Sequence, residues 1–374
     1  MASLLALFFI QIFIFTVTSF DVGANFEDSF FEINIDRNNP EKLYKEFEDF
    51  IVKYKRNYKD EIEKKFRFQQ FVATHNRVGK MNKAAKKAGH DTKYGINKFS
   101  DLSKKEIHGM YSKFGPPKNN TNVPKFNLKN LRVKRQMEGL PKTFDLRNKK
   151  VGGHYIIGPI KTQDSCACCW GFAATAVAEA ALTVHLKKAM NLSEQEVCDC
   201  APKHGPGCNG GDPVDGLEYI KEMGLTGGKE YPFNVNRSTQ LGRCESEKYD
   251  RELNPLELDY YAIDPFNAEY QMTHHLYLLN LPISVAFRTG ASLSSYLSGI
   301  LELADCDDEK GGHWHSGAIV GYGTTKNSAG RTVDYWIFRN SWWTDWGDDG
   351  YARIVRGEDW CSIESHGYGA RIPE

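Results

Sequence analysis

The ten residues from Gln163 to Phe172, Gln-Asp-Ser-Cys-Ala-Cys-Cys-Trp-Gly-Phe, constrain this chain more than any other stretch. They set Cys166, Cys168 and Cys169 beside a tryptophan and just ahead of the alanine-rich run Ala173 to Ala181. Ala, Leu and Glu dominate that run, and neither Gly nor Pro interrupts it until well past Leu186, so it predicts a helix. Cys169 then stands at the helix N-terminus, where unpaired amides and the positive end of the dipole favour a thiolate, the nucleophilic form of cysteine. A lone cysteine before a helix is more often structural and inert. The choice between the two rests on what else the chain carries.

A length of 374 residues allows about two domains, and 41% hydrophobic with 26% charged residues describes a soluble globular protein with a real core. Leu4 to Val17 is an uncharged apolar run too short to span a bilayer, followed by small residues around Ser19. It predicts a secretory signal over residues 1–19, with an uncleaved anchor as the alternative. No stable membrane insertion is expected after its removal. The rest of the chain should meet an oxidising compartment. All nine cysteines lie between Cys166 and Cys361, and an odd number leaves at least one thiol unpaired.

The formal net charge is zero, but it is unevenly spread. Residues 20–135 hold 26 Lys and Arg against 15 Asp and Glu, and residues 136–374 hold 22 against 33. The two parts are complementary in sign, as expected of segments that bind each other. No recognition motif accompanies the basic part, which argues against nucleic acid as a partner. No motif asks for a metal or another cofactor.

From Glu41 the pattern turns helical, with Leu43, Tyr44, Phe47, Phe50, Ile51 and Tyr54 at three- and four-residue steps. A second helix is predicted over Glu61 to Lys87 and stopped by Gly89. Tyr94 to Asp101 reads as a short strand and turn. Pro116 to Lys129 reads as a linker, and Arg132-Val133-Lys134-Arg135 either as a plain charged linker or as a basic processing site. Asn119, Asn191 and Asn236 each begin a glycosylation acceptor sequence, although Asn191 also fits as a flank of the helix starting near Ser193. Beyond Leu140 the chain reads as helices and Gly/Pro-rich loops to about Tyr231. After Pro282 come short strands over residues 283–287, 316–322, 335–338 and 350–355. Helices first and strands second predict an α+β fold of two packed lobes with a cleft between them.

His315 opens one strand-like run, and Asn340 stands in Phe-Arg-Asn-Ser-Trp-Trp after another. Acyl transfer by a cysteine needs a base, a group that orients the base and donors for the oxyanion. Cys169, His315 and Asn340 offer the first three parts. Gln163, with the Cys169 backbone N–H, offers the fourth. Each residue alone has an ordinary structural explanation, but four matching roles in one chain are hard to explain that way.

With these residues the chain resembles the papain-like cysteine proteases of the cathepsin type over essentially its whole length. Cys166-Ala167-Cys168-Cys169-Trp170 is similar to the family signature, and His315 follows roughly 150 residues later. The resemblance implies a helical left lobe and a β-barrel-like right lobe over residues 136–374, with Cys169 and His315 facing across the cleft and Trp342 shielding the Asn–His hydrogen bond. Glu63, Arg67, Phe71, Val78 and Asn82 resemble the ERFNIN-like pattern of the inhibitory propeptide, with Thr74 where that pattern has Asn. Gly95, Asn97, Phe99 and Asp101 match its second motif. Residues 20–135 are therefore expected to cover the right lobe and run through the cleft against the substrate direction, until acid or a dibasic-specific convertase releases them.

The same resemblance implies the disulfides Cys166–Cys208, Cys200–Cys244 and Cys306–Cys361, and leaves Cys168 and Cys198 either bridged or as two buried thiols. It implies substrate contacts by Gly210, Gly211, Asp212, Pro213, Ala286, Trp314, Ser316, Trp342 and His366. Asp212 and His366 would make the pocket for the second residue before the cut polar. Protein and peptide substrates, endopeptidase action, cystatin-like inhibitors, a monomeric state and a lysosomal or extracellular destination are further expectations. Asp164, Ala167 and Trp343 depart from usual glycines, and Gly171 from a usual alanine. Asp164 and Trp343 motivate an alternative, a catalytically silent homologue that binds protein ligands. A proform that inhibits other proteases through its basic segment is another.

Overall fold

Aromatic residues at helical spacing nucleate the N-terminal part. In helix α1 (Pro40–Lys53) Leu43, Phe47 and Phe50 are buried, and they pack on Phe71 and Val72 of helix α2 (Glu61–Lys87). Phe47 and Phe50 lie 5.4 and 5.3 Å from the Phe71 ring. Asp60 caps α2 by accepting from the Glu63 N–H, and Gly89, with φ +71°, turns the chain out of it. The two-residue strand β1 (Lys93–Tyr94) follows, then helix α3 (Lys104–His108), which a Ser103–Glu106 capping box starts.

This computed structural model describes residues 40–114, 123–127, 139–201, 208–235, 244–306 and 312–373. The predicted signal over residues 1–19, the basic tetrapeptide at 132–135, and the acceptors Asn119 and Asn236 lie outside the described residues.

The left lobe is built on helix α4 (Cys169–Leu186), with α5 (Glu194–Cys200) and α6 (Pro213–Met223) packed around it. Helix α4 is long and apolar enough to cross a membrane, but it is buried on nearly every face because it also packs against the right-lobe sheet. Ser193 caps α5 by accepting from the Glu196 N–H, and Asp212 caps α6 by accepting from the Val214 N–H, with Pro213 at the first helical position.

The strands, in chain order, are β2 (Phe144–Asp145), β3 (Lys150–Val151), β4 (His154–Tyr155), β5 (Leu225–Thr226), β6 (Arg251–Leu253), β7 (Asp259–Ala262), β8 (Ile283–Arg288), β9 (Tyr296–Ser298), β10 (Ile300–Leu301), β11 (Trp314–Lys326), β12 (Thr332–Arg339), β13 (Tyr351–Val355) and β14 (Gly367–Arg371). Helix α7 (Ala268–Leu279) precedes β8, and the short helix α8 (Ala291–Ser294) follows it. The right-lobe sheet runs β10-β13-β12-β11-β8-β14-β7, with β2 also on β11, and its described path is open rather than closed. The register sets His315 opposite Phe287 and Ser316 opposite Ala286.

The helical reading of residues 41–54 and 61–87 agrees closely with α1 and α2. The division at Pro282 needs correction, because β5, β6 and β7 lie before it and β2 near Leu140 joins the right-lobe sheet. Strands of two to four residues carry too little alternation to be read locally. The N-terminal part also shares a core with the right lobe. Val78, Met81, Tyr94, Phe99, Met110 and Tyr111 are buried in the same cluster as the sheet.

Candidate active site

Helix α4 begins at Cys169, whose side chain is fully buried. Strand β11 begins at Trp314 and carries His315, while Asn340 follows the end of β12. His315 Nε2 and Asn340 Oδ1 are 2.7 Å apart, and Asn340 Oδ1 also accepts from the Ser341 N–H at 2.8 Å. The Trp342 ring lies 4.7 Å from the imidazole and covers this bond. His315 Nδ1 is buried with no hydrogen-bond partner among the described residues.

Ser341 links the two sides of the site. Its carbonyl accepts from the Gln163 N–H at 2.9 Å, and its hydroxyl donates to Gln163 Oε1 at 2.6 Å. Gln163 Nε2 is thereby turned toward the cleft, where it donates to the Met110 carbonyl at 2.8 Å and to the Cys166 carbonyl at 2.7 Å. A carbonyl from the N-terminal segment thus uses the donor expected to serve an oxyanion. Nearby, Lys161 ties helix α4 to the start of α5 through Glu179 at 2.8 Å and Glu194 at 2.6 Å.

The N-terminal segment also sets the electrostatics. Burial pushes the Cys169 thiol up to about 11, although backbone N–H groups of Ser316, Trp170 and Ser112 pull the other way. Burial pushes the His315 imidazole down to about 4, against the Asn340 hydrogen bond. Between those values both groups are neutral, so the covered site holds a thiol and an imidazole rather than an ion pair. Tyr111 lies edge-on to His315 at 5.5 Å and contributes to that burial.

The segment crosses the cleft in order. Phe99 stands edge-on to Trp342 at 5.0 Å, and Lys98 donates to the Trp342 carbonyl and pairs with Asp345 at 2.7 Å. Ser112 then bridges Trp314 through two backbone bonds of 2.8 and 2.9 Å, and further on Phe126 pairs with Ala262. The second propeptide-like motif anchors this path. The Asn97 side chain donates to the Ser294 carbonyl at 2.7 Å, and a Cβ on Gly95 would collide with Leu297. Asp101 is buried against Arg56 and the Tyr58 hydroxyl. In the first motif Arg67 pairs with Glu106 at 2.8 Å, and Asn82 bonds the Tyr94 backbone in both directions.

Four disulfides are present among the described residues: Cys166–Cys208, Cys168–Cys198, Cys200–Cys244 and Cys306–Cys361. Cys169 is the cysteine left unpaired. The Cys168–Cys198 bridge explains the glycine at 171. A Cβ there would stand 2.8 Å from Cys168 Sγ and 3.3 Å from Val197 Cγ1, inside normal contact.

Of the three other departures, Ala167 is buried and two lie on the surface. Asp164 (φ +50°) and Trp343 (φ +62°) hold the left-handed backbone that glycine adopts freely, at a cost of about 1–2 kcal/mol each. Asp164 is exposed and its carboxylate accepts from the Thr162 hydroxyl at 2.9 Å, whereas burial is the leading cause of the raised thiol. The Trp343 side chain is 51% exposed.

The expected substrate contacts divide between the lobes. Ala286, Ser316, Trp314 and His366 meet on the right lobe: the Ala286 N–H donates to the His366 carbonyl at 3.0 Å, and Trp314 stands edge-on to the His366 ring at 5.4 Å. Burial lowers the His366 imidazole. Gly210, Gly211, Asp212 and Pro213 belong to the left lobe. Gly210 faces Ser112 and Gly211 faces the Trp170 ring, where a Cβ would lie 2.6 Å from the nearest atom in each case. Asp212 is almost buried and commits one oxygen to the α6 cap, 2.8 Å from the Val214 nitrogen. Sequence reasoning passed over Ser341 and Tyr111. The first is signalled only by following Asn340, and the second by nothing local.

Comparison with known proteins agrees with this arrangement. A profile described as papain family cysteine protease matches residues 140–370, and one described as cathepsin propeptide inhibitor domain matches residues 47–107. Cysteine proteinase 3 of Solanum lycopersicum is 32% identical over 319 residues, covering 85% of this chain and 82% of its own length. Pro-cathepsin H of Bos taurus is 31% identical over 87% of this chain and 89% of its own. Among solved structures, the digestive procathepsin L2 proteinase of Tenebrio molitor superposes with a TM-score of 0.73 at 25% identity, covering 88% of this chain and all of that one (100%). The chain belongs to the papain family of cysteine proteases and is a proenzyme carrying a cathepsin-type inhibitory propeptide.

Proposed function

We propose that the chain is the latent form of a cysteine endopeptidase in which Cys169 is the nucleophile, His315 the base, Asn340 its orienting partner and Gln163 a donor to the oxyanion. The 2.7 Å contact of His315 Nε2 with Asn340 Oδ1 carries this reading. The amide oxygen accepts the proton on Nε2, so Nδ1 is the ring nitrogen left to take the thiol proton. The thiolate attacks the peptide carbonyl carbon, and Gln163 Nε2 with the Cys169 N–H holds the oxyanion. His315 then gives its proton to the leaving amine, and water hydrolyses the acyl-enzyme.

Latency follows from burial. Removing Tyr111 and its neighbours readmits water, which lowers the thiol and raises the imidazole until the ion pair forms. In this reading residues 1–19 are the signal, 20–135 the inhibitory propeptide and 136–374 the peptidase. Four disulfides support passage through the secretory pathway to a lysosome or the cell exterior. Exposed Asn191 is a candidate for glycosylation there. Protein and peptide substrates with a polar or basic second residue before the cut are accepted, Asp212 supplying the counter-charge and the burial-lowered His366 imidazole adding to the polar lining. A monomer sensitive to cystatin-like inhibitors completes the reading.

The test is peptide hydrolysis by the acid-incubated full-length chain beside a Cys169→Ala control, with the product N-terminus sequenced. Hydrolysis lost in the control, with a new N-terminus near Gln136 to Leu140, is expected. Processing without hydrolysis would instead favour the silent homologue.

A further inference from the structure

Asp164 and Trp343 stand at opposite ends of one short backbone pairing beside the cleft. The segment 161–163 pairs antiparallel with 341–343: Thr162 bridges Trp342, the Trp343 N–H donates to the Lys161 carbonyl at 3.2 Å, and the Gln163 N–H donates to Ser341. Asp164 and Trp343 flank this pairing, and both put a side chain on left-handed backbone where a bare glycine would be easier to hold. A large indole kept half exposed in such a conformation marks a site rather than a packing need.

Chemistry decides which side of the cut this rim serves. His315 must protonate the leaving amine, and Trp342 lies against the imidazole, so the chain beyond the cut departs along residues 342–346. On the opposite side, Ser112 sits between Gly210 and Trp314. The propeptide already occupies the rim with a cation, Lys98 at the Trp342 carbonyl and the Asp345 carboxylate. Lys161, the nearby cation, is turned inward to Glu179 and Glu194 and does not neutralise the rim.

We infer that Asp164, Trp343 and Asp345 form a binding rim for the leaving side of the substrate, selecting peptides with Lys or Arg in the first two positions after the cut. One such side chain lays its aliphatic stem on the indole with its charge at Asp345, and the other turns its charge to Asp164. Lys98 leaves this rim with the propeptide, so activation and leaving-side recognition use the same groups.

This inference rests on the proposed peptidase activity, and the experiment separates the two. The processed product of the full-length chain is given peptides that differ only in Lys or Glu after the cut, beside a short substrate whose leaving group is an aminocoumarin. The wild type is expected to prefer Lys over Glu about tenfold in kcat/KM. An Asp164→Gly/Asp345→Ala variant is expected to bring that ratio within about twofold of one. Trp343→Gly is expected to lower the ratio of extended-peptide to aminocoumarin turnover about fivefold. Glycine relieves the left-handed backbone at 164 and 343, so misfolding does not mask the result. Turnover of both substrates with no Lys preference, or with ratios that the variants leave alone, overturns the rim. No turnover of any substrate by the wild type overturns the rim and the peptidase reading together.

Discussion

Tyr111 of the propeptide stands edge-on to His315, with ring centroids 5.5 Å apart and planes inclined by 68°. It also reaches Trp342 at 5.9 Å, so one buried aromatic covers the imidazole and the indole that shields it. Tyr111→Ala should remove about 3–5 kcal/mol of propeptide docking, the usual cost of truncating a buried aromatic. The expected outcome is at least a tenfold faster reaction of Cys169 with a thiol-directed epoxide in the uncleaved chain. Mass spectrometry of the labelled peptide measures it.

The neutral thiol and imidazole give the proform a distinctive pH profile. With the thiol raised to about 11, thiolate is scarce at neutral pH, on the order of one molecule in ten thousand. Alkylation of the uncleaved chain should therefore stay slow through neutrality and rise only toward pH 11. In the processed enzyme the rise should move down by several pH units. Equal profiles for the two forms would remove burial as the cause of latency.

Acid release should act through particular carboxylates. Hydrogen bonds from Ser328 hold Asp91 below the ordinary carboxylate range, and they cross from propeptide to enzyme. For Glu106 burial pushes up, but Arg67 and Ser103 outweigh it and the net shift is downward. A lowered carboxylate stabilises the folded state above its ordinary value, and this contribution is lost as pH falls through the lowered one. Asp101 has the opposite sign, because burial raises it despite Arg56, so protonating it does not loosen the propeptide. Asp91→Ala should shift processing to higher pH, read from the pH at which half the chain is cleaved. Asp101→Asn should not reproduce that shift.

The contact at residue 171 predicts a dependence between substitutions. Gly171→Ala should cost about 1–3 kcal/mol from overpacking against Cys168 and Val197. In a Cys168→Ala/Cys198→Ala background that penalty should largely vanish, although losing the bridge has its own cost of about 2–5 kcal/mol. Denaturant midpoints of the four proforms complete the cycle.

What could be read from the chain followed the range of the signal. Helices α1, α2 and α4 announce themselves through period, composition and stops that act over a few residues. Cys169, His315, Asn340 and Gln163 were singled out because the proposed chemistry needs those residue types in company. The strands β2, β5 and β6 were not, since two or three residues carry no period and gain their partners only across space. Tyr111 and Ser341 stayed hidden for the same reason. The bridge between Cys168 and Cys198 was left open by parity, and its trace in the sequence, the glycine at 171, makes sense only once the sulfur beside it is located.

The complete burial of Cys169 bears on how the protein survives before use. Peroxides and disulfides attack a thiolate that they can reach, and oxidation of a cysteine past the sulfenic acid is irreversible. A sulfur that is both uncharged and out of contact with solvent is a poor target. With Cys169 as the proposed nucleophile, the inhibitory propeptide therefore also preserves the enzyme, and that chemical shelf life in an oxidising medium ends when the propeptide is cut away.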